Sequence, residues 1–397
     1  MLKYIRNNYY ELIIAFLVFA NLFPVWLPKW MYYASFLFIL YKMSIFNVFA
    51  SAIKRDLFIG FIATIWLSSI LGAVLDLRLV VFTLILFMGM PRSSVRWHIY
   101  KKKMLFNIFI GFGIATLVNL FAKLIDVNMV REDKYMISMG RVSEFSGFCS
   151  HPMWTSCAAA LSTIFFSSMA FGRRRMSKVW KFVCFAMILV SLYITMISAS
   201  RSAFFLSLFC SAIVIKLHSG NWRHLTKVAF VITITSLFFA PFLIDNSKAM
   251  MQKKNSLEIT VKNTSRDELW SQRMEEFESS PLIGIGFAAY GVGENKTTGR
   301  FESGGSFIGV LAQTGLIGSM FVALIWMATL MHPKRVDKDQ MMQLIYAIFV
   351  FFSIHCIIEG YMFQAGWYLC LIVWLVVGVM IEHKQYGAYI YRLQIEK

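Results

Sequence analysis

The sequence is short of charge. Of its 397 residues only 15% are Asp, Glu, Lys or Arg, against 58% hydrophobic and a mean hydropathy of +0.63. A soluble domain carries about 25% charged residues, so the composition excludes an ordinary water-soluble globule. Cysteine is equally uninformative as a framework. Cys149, Cys157, Cys184, Cys210, Cys356 and Cys370 lie in or beside apolar stretches and lack C-x-x-C spacing. They read as buried small hydrophobes and not as a disulfide or metal set. His, Asp and Glu form no cluster with ligand spacing, so no metal and no cofactor is expected. There is no internal repeat and no low-complexity tract. The first apolar run lacks a small-residue cleavage site and reads as a retained span. "GIGFAAYGVG" resembles a dinucleotide loop only superficially, because no strand precedes it and no βαβ unit fits around it. It reads as a turn.

What is present is a series of apolar runs, each near the ~20 residues that cross a bilayer. They predict an all-α polytopic membrane protein with about twelve transmembrane helices. The expected spans are 11–28, 31–50, 57–75, 77–91, 104–122, 152–171, 180–198, 202–217, 227–244, 305–331, 341–358 and 362–381. Basic residues alternate between them. Lys3 and Arg6, Lys54 and Arg55, Arg92 to Lys103, Arg173 to Lys181, Lys216 to Lys227, Lys334 to Lys338 and Lys384 onward fall on one side. The positive-inside rule makes that side cytoplasmic and puts both termini there. The formal charge of +18 is then a matter of topology and gives no indication of nucleic acid.

The chain reads as a single integral membrane domain, 1–397, with two long external segments. One is 123–151. The other is 245–304, a large loop before the tenth span. Loops of this length in compact proteins are usually functional or disordered. Leu269, Trp270, Met274 and Phe277 are spaced for an amphipathic helix, roughly 265–279, on the membrane surface or capping a cavity. Pro281 ends it, and Gly284, Gly286, Gly291 and Gly293 make a turn-rich return.

Several polar residues bear two readings. Arg201, in "SASRSAFF", sits in a short external turn, where it either snorkels to headgroups or grips an anion from within the bundle. Its fork of donors suits a pair of phosphate oxygens. Arg266 and Arg273 are seven apart, so both can share one face of the surface helix. The alternative is a solvated helix paired with Glu268, Glu275, Glu276 and Glu278. Arg141, in "GRVSEFSGFCSHP", is a further external arginine. Four arginines converging outside the membrane would hold a diphosphate without a metal. His151 precedes Pro152 at an ordinary helix start, with a catalytic role as the alternative. Glu359 ends a span and either pairs with a site arginine or sits at the interface. Glu302, in "GRFESGGSF", stands among small residues directly before a span and is the best candidate base. "DKD" at 337–339 formally matches a metal-binding D-x-D but reads as a solvated loop among lysines.

The order of these segments resembles the O-antigen ligase/polymerase family of bacterial envelope glycan enzymes. "ISASRSAF", then "SRDELWSQRMEEFESSPLIGIGFAAY", "ESGGSFIGVLAQTGLIG" and "EGYMFQAGWYLCLIVWLVVG" carry the resemblance, with "GRVSEFSGFCSHPMWTSCAAAL" as an upstream element. It covers roughly 140–380. It implies a multi-pass protein of the bacterial inner membrane whose site faces the periplasm, so that the loop 245–304 is periplasmic. The implied donor is an undecaprenyl-diphosphate-linked oligosaccharide, and the implied reaction is metal-independent, inverting glycosyl transfer. By resemblance Arg201 and one or both of Arg266 and Arg273 hold the diphosphate, and a base deprotonates the acceptor hydroxyl. Ligases carry a histidine before the helix of "GLIG", where this chain has "ESGGS". That difference points to the branch that polymerises repeat units, with Glu302 at the histidine's place. Membrane lipids, a chain-length regulator and a flippase are the implied partners. A ligase with a lipid or protein acceptor and a transporter of lipid-linked glycans are the alternatives.

Overall fold

The computed structural model describes residues 2–129, 145–172, 176–219, 265–293, 296–298, 304–330 and 339–395, with backbone alone for 2, 3, 219, 265–267 and 387–395. Local sequence explains where many of its helices begin. Asp76 caps α4 (Leu77–Gly89), its carboxylate accepting the Arg78 N–H at 2.7 Å. Ser177 caps α7 (Lys178–Ile197) by accepting from Trp180 N–H. His151 caps α6 (Pro152–Phe171), where Pro152 fills a position whose N–H would have no helical partner. The preceding helices are α1 (Leu2–Ala20), α2 (Trp30–Ile45), α3 (Arg55–Leu71) and α5 (Val95–Leu124). Beyond α7 come α8 (Arg201–Ser219), α9 (Ser265–Ser279), α10 (Ser306–Thr329), α11 (Gln340–Ile358) and α12 (Tyr368–Ile395). Asp339 caps α11 by accepting from the N–H groups of Met341 and Met342 at 3.0 and 3.2 Å. The second Asp of "DKD" is therefore a helix cap.

Seven helices among the described residues are long and apolar enough to cross a membrane: α5, α6, α7, α8, α10, α11 and α12. The protein is an all-α, multi-pass membrane protein. The expected run 227–244 lies outside the described residues. Elsewhere the boundaries differ for local reasons. α1 stops at Ala20, ahead of Pro24 and Pro28, which cannot donate to a helix. Helix α4 has 13 residues, about 20 Å of rise against the ~30 Å hydrocarbon core. The last expected span is divided into a 3-10 turn, Tyr361–Phe363, and α12, which starts at Tyr368. All six cysteines are buried, as their reading as small hydrophobes expects.

The chain divides into two compact units. The first comprises Met1–Tyr33, Met104–Lys262 and Val336–Phe351. Here α6 packs on α7 and α8. It is buried along nearly its whole length and rich in Ala, Ser and Thr, the residue types that let helix backbones approach closely in lipid. Ser162 and Ser191 hydrogen-bond across α6 and α7 at 2.8 Å. Further along, His218 bridges the Ser168 hydroxyl, at 3.0 Å, and the Gln343 amide oxygen.

The second unit comprises Ala34–Lys103, Asn263–Arg335 and Phe352–Lys397. In it α10 packs on α3 and α9, and α12 packs on α4. Helix α10 is broken at Gly315, whose φ of 64° and ψ of −164° leave the helical region. The break has a partner. Residues 281–286 run alongside it, Ile285 and Gly286 donating N–H groups to the carbonyls of Ala312 and Gln313 at 3.0 and 3.1 Å. In return Leu316 and Ile317 donate to Pro281 and Leu282 at 2.8 and 3.2 Å. The Ser68 hydroxyl adds a bond to the Gln313 carbonyl at 2.6 Å. Residues 284–289 are all buried, and Phe287 stacks on Phe82 and meets Phe363 edge to face, with centroids 5.1 and 4.9 Å away. The stretch read as a turn-rich return is thus a core element. A short hairpin follows it, β1 (Ala289–Tyr290) pairing antiparallel with β2 (Thr297–Thr298).

The break depends on glycine. A Cβ on Gly315 would lie 2.4 Å from the Leu282 carbonyl carbon, while one on Gly293, also at positive φ, would meet nothing within 4 Å. Gly293→Ala is expected to cost about 1 kcal/mol through conformation alone. Gly315→Ala is expected to cost about 3 kcal/mol or more, since backbone strain adds to a displaced neighbour. Thermal unfolding of the two variants in detergent measures the difference. Equal losses would show that the close approach of 281–286 to α10 contributes no stability.

Candidate functional site

Helix α9 occupies the span expected for the amphipathic helix but not with the expected face. Trp270 and Met274 are 41% and 43% exposed, whereas Arg273 and Glu276 are 3% and 2% exposed. The charged pair faces the protein. It is an i, i+3 pair, so the helix itself sets the two side chains on one side. Arg273 Nη1 lies 2.6 Å from Glu276 Oε2. Glu276 Oε1 accepts the Gly291 N–H at 2.6 Å, which ties the hairpin to α9. Burial pushes the Arg273 guanidinium below its ordinary range, with Glu276 opposing. Burial also pushes the Glu276 carboxyl above the usual carboxylate range, against the Gly291 hydrogen bond and the Arg273 charge. Desolvating two such ions costs several kcal/mol each, so the pair adds little net stability and yet is costly to break.

Two more contacts complete this end of the unit. Lys296, at the turn of the hairpin, donates to the Gly72 carbonyl at 2.5 Å, and burial lowers its pKa. Trp270 Nε1 donates to the Gly304 carbonyl at 2.9 Å, and Ser306, the first residue of α10, donates to the Glu359 carbonyl at 2.6 Å. The chain immediately after Glu302 is therefore held between α9 and the turn that follows α11. Glu359 is half-buried, and its N–H donates to the His355 carbonyl at 2.9 Å. His355 Nδ1 and the Tyr361 hydroxyl form a buried contact of 3.0 Å beside it.

The remaining sequence-derived candidates fall as follows. Arg201 is half-buried and opens α8 in the first unit, after a turn in which Ala199 takes a φ of 55°. A cation is poorly placed for helix stability at a helix N-terminus, so its position is not explained by α8. The segment 145–151 reaches the same turn, Phe145 N–H donating to the Ile197 carbonyl at 3.3 Å. His151 Nδ1 accepts the Met153 N–H at 3.1 Å, which puts the proton of a neutral ring on Nε2. It acts here as a helix cap. Arg266 lies on α9 with only its backbone described, and Arg141 and Glu302 lie outside the described residues.

Sequence reasoning named Glu276 among the possible partners of Arg273 but expected a solvated helix, and so missed the burial of the pair and the Gly291 N–H that Glu276 accepts. It also missed Lys296, which nothing local marks. A third omission is a cluster in the second unit around Glu382. That carboxylate accepts the Arg92 N–H at 2.7 Å and contacts His98 Nδ1 at 3.2 Å and Lys101 Nζ at 2.6 Å. All four residues are at most 1% exposed. The Arg92 guanidinium donates to the carbonyls of Phe49 and Phe87 at 2.7 and 2.9 Å, and burial brings its pKa down to about 10. These bonds join the chain around α2, α4, α5 and α12, which accounts for the cluster structurally.

Lys296→Met removes the donor to Gly72 while keeping the stem. Amide exchange at 289–290 and 297–298 is expected to rise about tenfold, the effect of losing one hydrogen bond to a charged group. Exchange in α6 should not change. Unchanged exchange at the hairpin would mean that Lys296 does not hold it. Compared with protein-family models and with curated proteins, the sequence matches none of them.

Proposed function

We propose that this protein is a polymerase of the bacterial inner membrane, joining undecaprenyl-diphosphate-linked oligosaccharide repeat units into a surface polysaccharide. The observation that carries the reading is Arg201 at the start of α8. There the guanidinium and the positive end of the helix dipole lie together, a combination suited to phosphate. The short turn before it and the apolar helices on either side suit a ligand whose head is anionic and whose tail is lipid. The resemblance adds Arg141, Arg266 and Arg273 as candidate diphosphate-binding residues.

In this mechanism the arginines neutralise the diphosphate as it leaves, which lowers the barrier because the charge develops in the transition state. Glu302 takes the proton from the acceptor hydroxyl as that oxygen attacks the anomeric carbon. The glycosidic bond forms, the carbon–oxygen bond to the diphosphate breaks, and configuration inverts. Gly304 and Gly305, which follow Glu302, are buried against Trp270 and the Ile357 carbonyl, where a Cβ would not fit. The reaction takes place on the periplasmic side.

Glycan analysis of a deletion strain tests the reading directly. Surface glycan reduced to a single repeat is expected. Absent attachment with intact carrier-linked polymer would replace the polymerase with a ligase, and accumulation of untranslocated repeat units would replace it with a transporter. Complementation then tests the residues. Arg201→Lys is expected to lose most polymer although the charge remains, because a point charge cannot reproduce the fork. Glu302→Gln is expected to cut turnover by about 10²–10⁴-fold, the usual worth of a general base. Normal polymer from well-expressed Arg201→Ala or Glu302→Gln would remove that residue from the mechanism.

Sidedness is tested separately. Reporter fusions at residues 135 and 260 are expected to report periplasm, and those at 100 and 175 cytoplasm. A cytoplasmic result at 260 would take the large loop out of the proposed compartment.

A further inference from the structure

The two groups that hold Glu276 are groups that would hold a phosphate oxygen. One is a guanidinium, Arg273 Nη1, and the other is the backbone N–H of Gly291, a glycine at φ 84°. Guanidinium and backbone amide are the ordinary donors of phosphate sites. Glu276 itself is singular on its helix. Glu268, Glu275 and Glu278 are exposed, and Glu276 alone is turned inward. An inward pair of apolar residues would anchor α9 without the desolvation that a buried Arg–Glu pair incurs. The charged pair makes physical sense if the arginine must be present for an anion from outside. An arginine waiting in a buried site needs an internal anion.

We propose that Glu276 is a displaceable internal anion. In the resting protein its carboxylate occupies the Arg273–Gly291 donor pair, and a diphosphate group replaces it there. The inference rests on the reading of Arg273 as a diphosphate ligand. The diphosphate could be that of a prenyl-linked glycan or free pyrophosphate, and both offer the same oxygens. On displacement Glu276 swings to solvent and Gly291 passes its N–H from carboxylate to phosphate. No covalent bond changes.

The test uses the full-length protein in detergent, with inorganic pyrophosphate and undecaprenyl diphosphate as probes. Glu276→Gln keeps the shape of the side chain and removes the competing charge. It is expected to bind pyrophosphate about tenfold tighter than wild type, the loss of one competing charge in a desolvated site. The gain should vanish in the double variant Arg273→Ala/Glu276→Gln. Tighter binding of the prenyl diphosphate than of pyrophosphate would identify the lipid-linked donor as the natural occupant, and equal binding the free anion. A measurement on wild type does not depend on the variants folding. Carboxylate labelling read by mass spectrometry is expected to find Glu276 protected until pyrophosphate is added, then modified several-fold more, with Glu275 unchanged. Wild type that binds either probe while Glu276→Gln binds no tighter and Glu276 stays protected overturns the displacement and leaves the diphosphate reading standing. Failure of wild type and both variants to bind either probe overturns both.

Discussion

Backbone that leaves the helix inside an apolar bundle must still satisfy its hydrogen bonds, because no water is there to do so. Much of the second unit follows from how that demand is met at Gly315. Breaking α10 frees backbone groups on either side of the glycine, and residues 281–286 supply their partners. The pairing holds the following stretch, Phe287 included, in the core against α3, α4 and the 3-10 turn before α12. The Gln313 side chain extends the pattern by accepting the Ala288 N–H at 3.0 Å. The direction in which the chain leaves this pairing, into the hairpin, is set by the same bonds.

Charge is buried in two places in that unit, and the two obey different rules. Around Glu382 a single carboxylate serves Arg92, His98 and Lys101, while carbonyls of Phe49 and Phe87 take up the guanidinium. Every partner there is part of the fold, and the cluster works as a junction of chain segments. Around Glu276 the carboxylate meets the Arg273 guanidinium and accepts the Gly291 N–H. A pair of that kind gives little net stability, and what it supplies instead is a buried arginine held in a defined position on α9.

The proposed chemistry draws on the same physics. A diphosphate leaving group asks for positive charge that is in place before reaction, in surroundings that screen it poorly. Arginine side chains are a way to provide it. Gly304 and Gly305, between the hairpin and α10, lie against Trp270 and the Ile357 carbonyl, where a side chain would not fit.

Much of the architecture was legible in the sequence. Length and apolarity of the runs decide that α5 to α8 and α10 to α12 are helices of membrane-crossing character, because a chain in lipid has few other ways to pair its backbone. Asp76, Ser177 and the His151–Pro152 step mark helix starts by local chemistry alone. The extent of α9 was readable from spacing and from Pro281. Its orientation was not, since periodicity finds an apolar stripe but cannot say that a charged pair one turn apart will face inward. The glycines of 284–293 looked like turns for a related reason. A glycine permits positive φ anywhere, and whether that freedom serves a surface turn or a buried crossing depends on what lies opposite. The sequence by itself determined the helical character of the chain and its local stops. Tertiary structure decided that α10 breaks at Gly315, that 281–289 fills the break, and that Arg273 and Glu276 are shut in, because each requires partners from distant segments that no local pattern names.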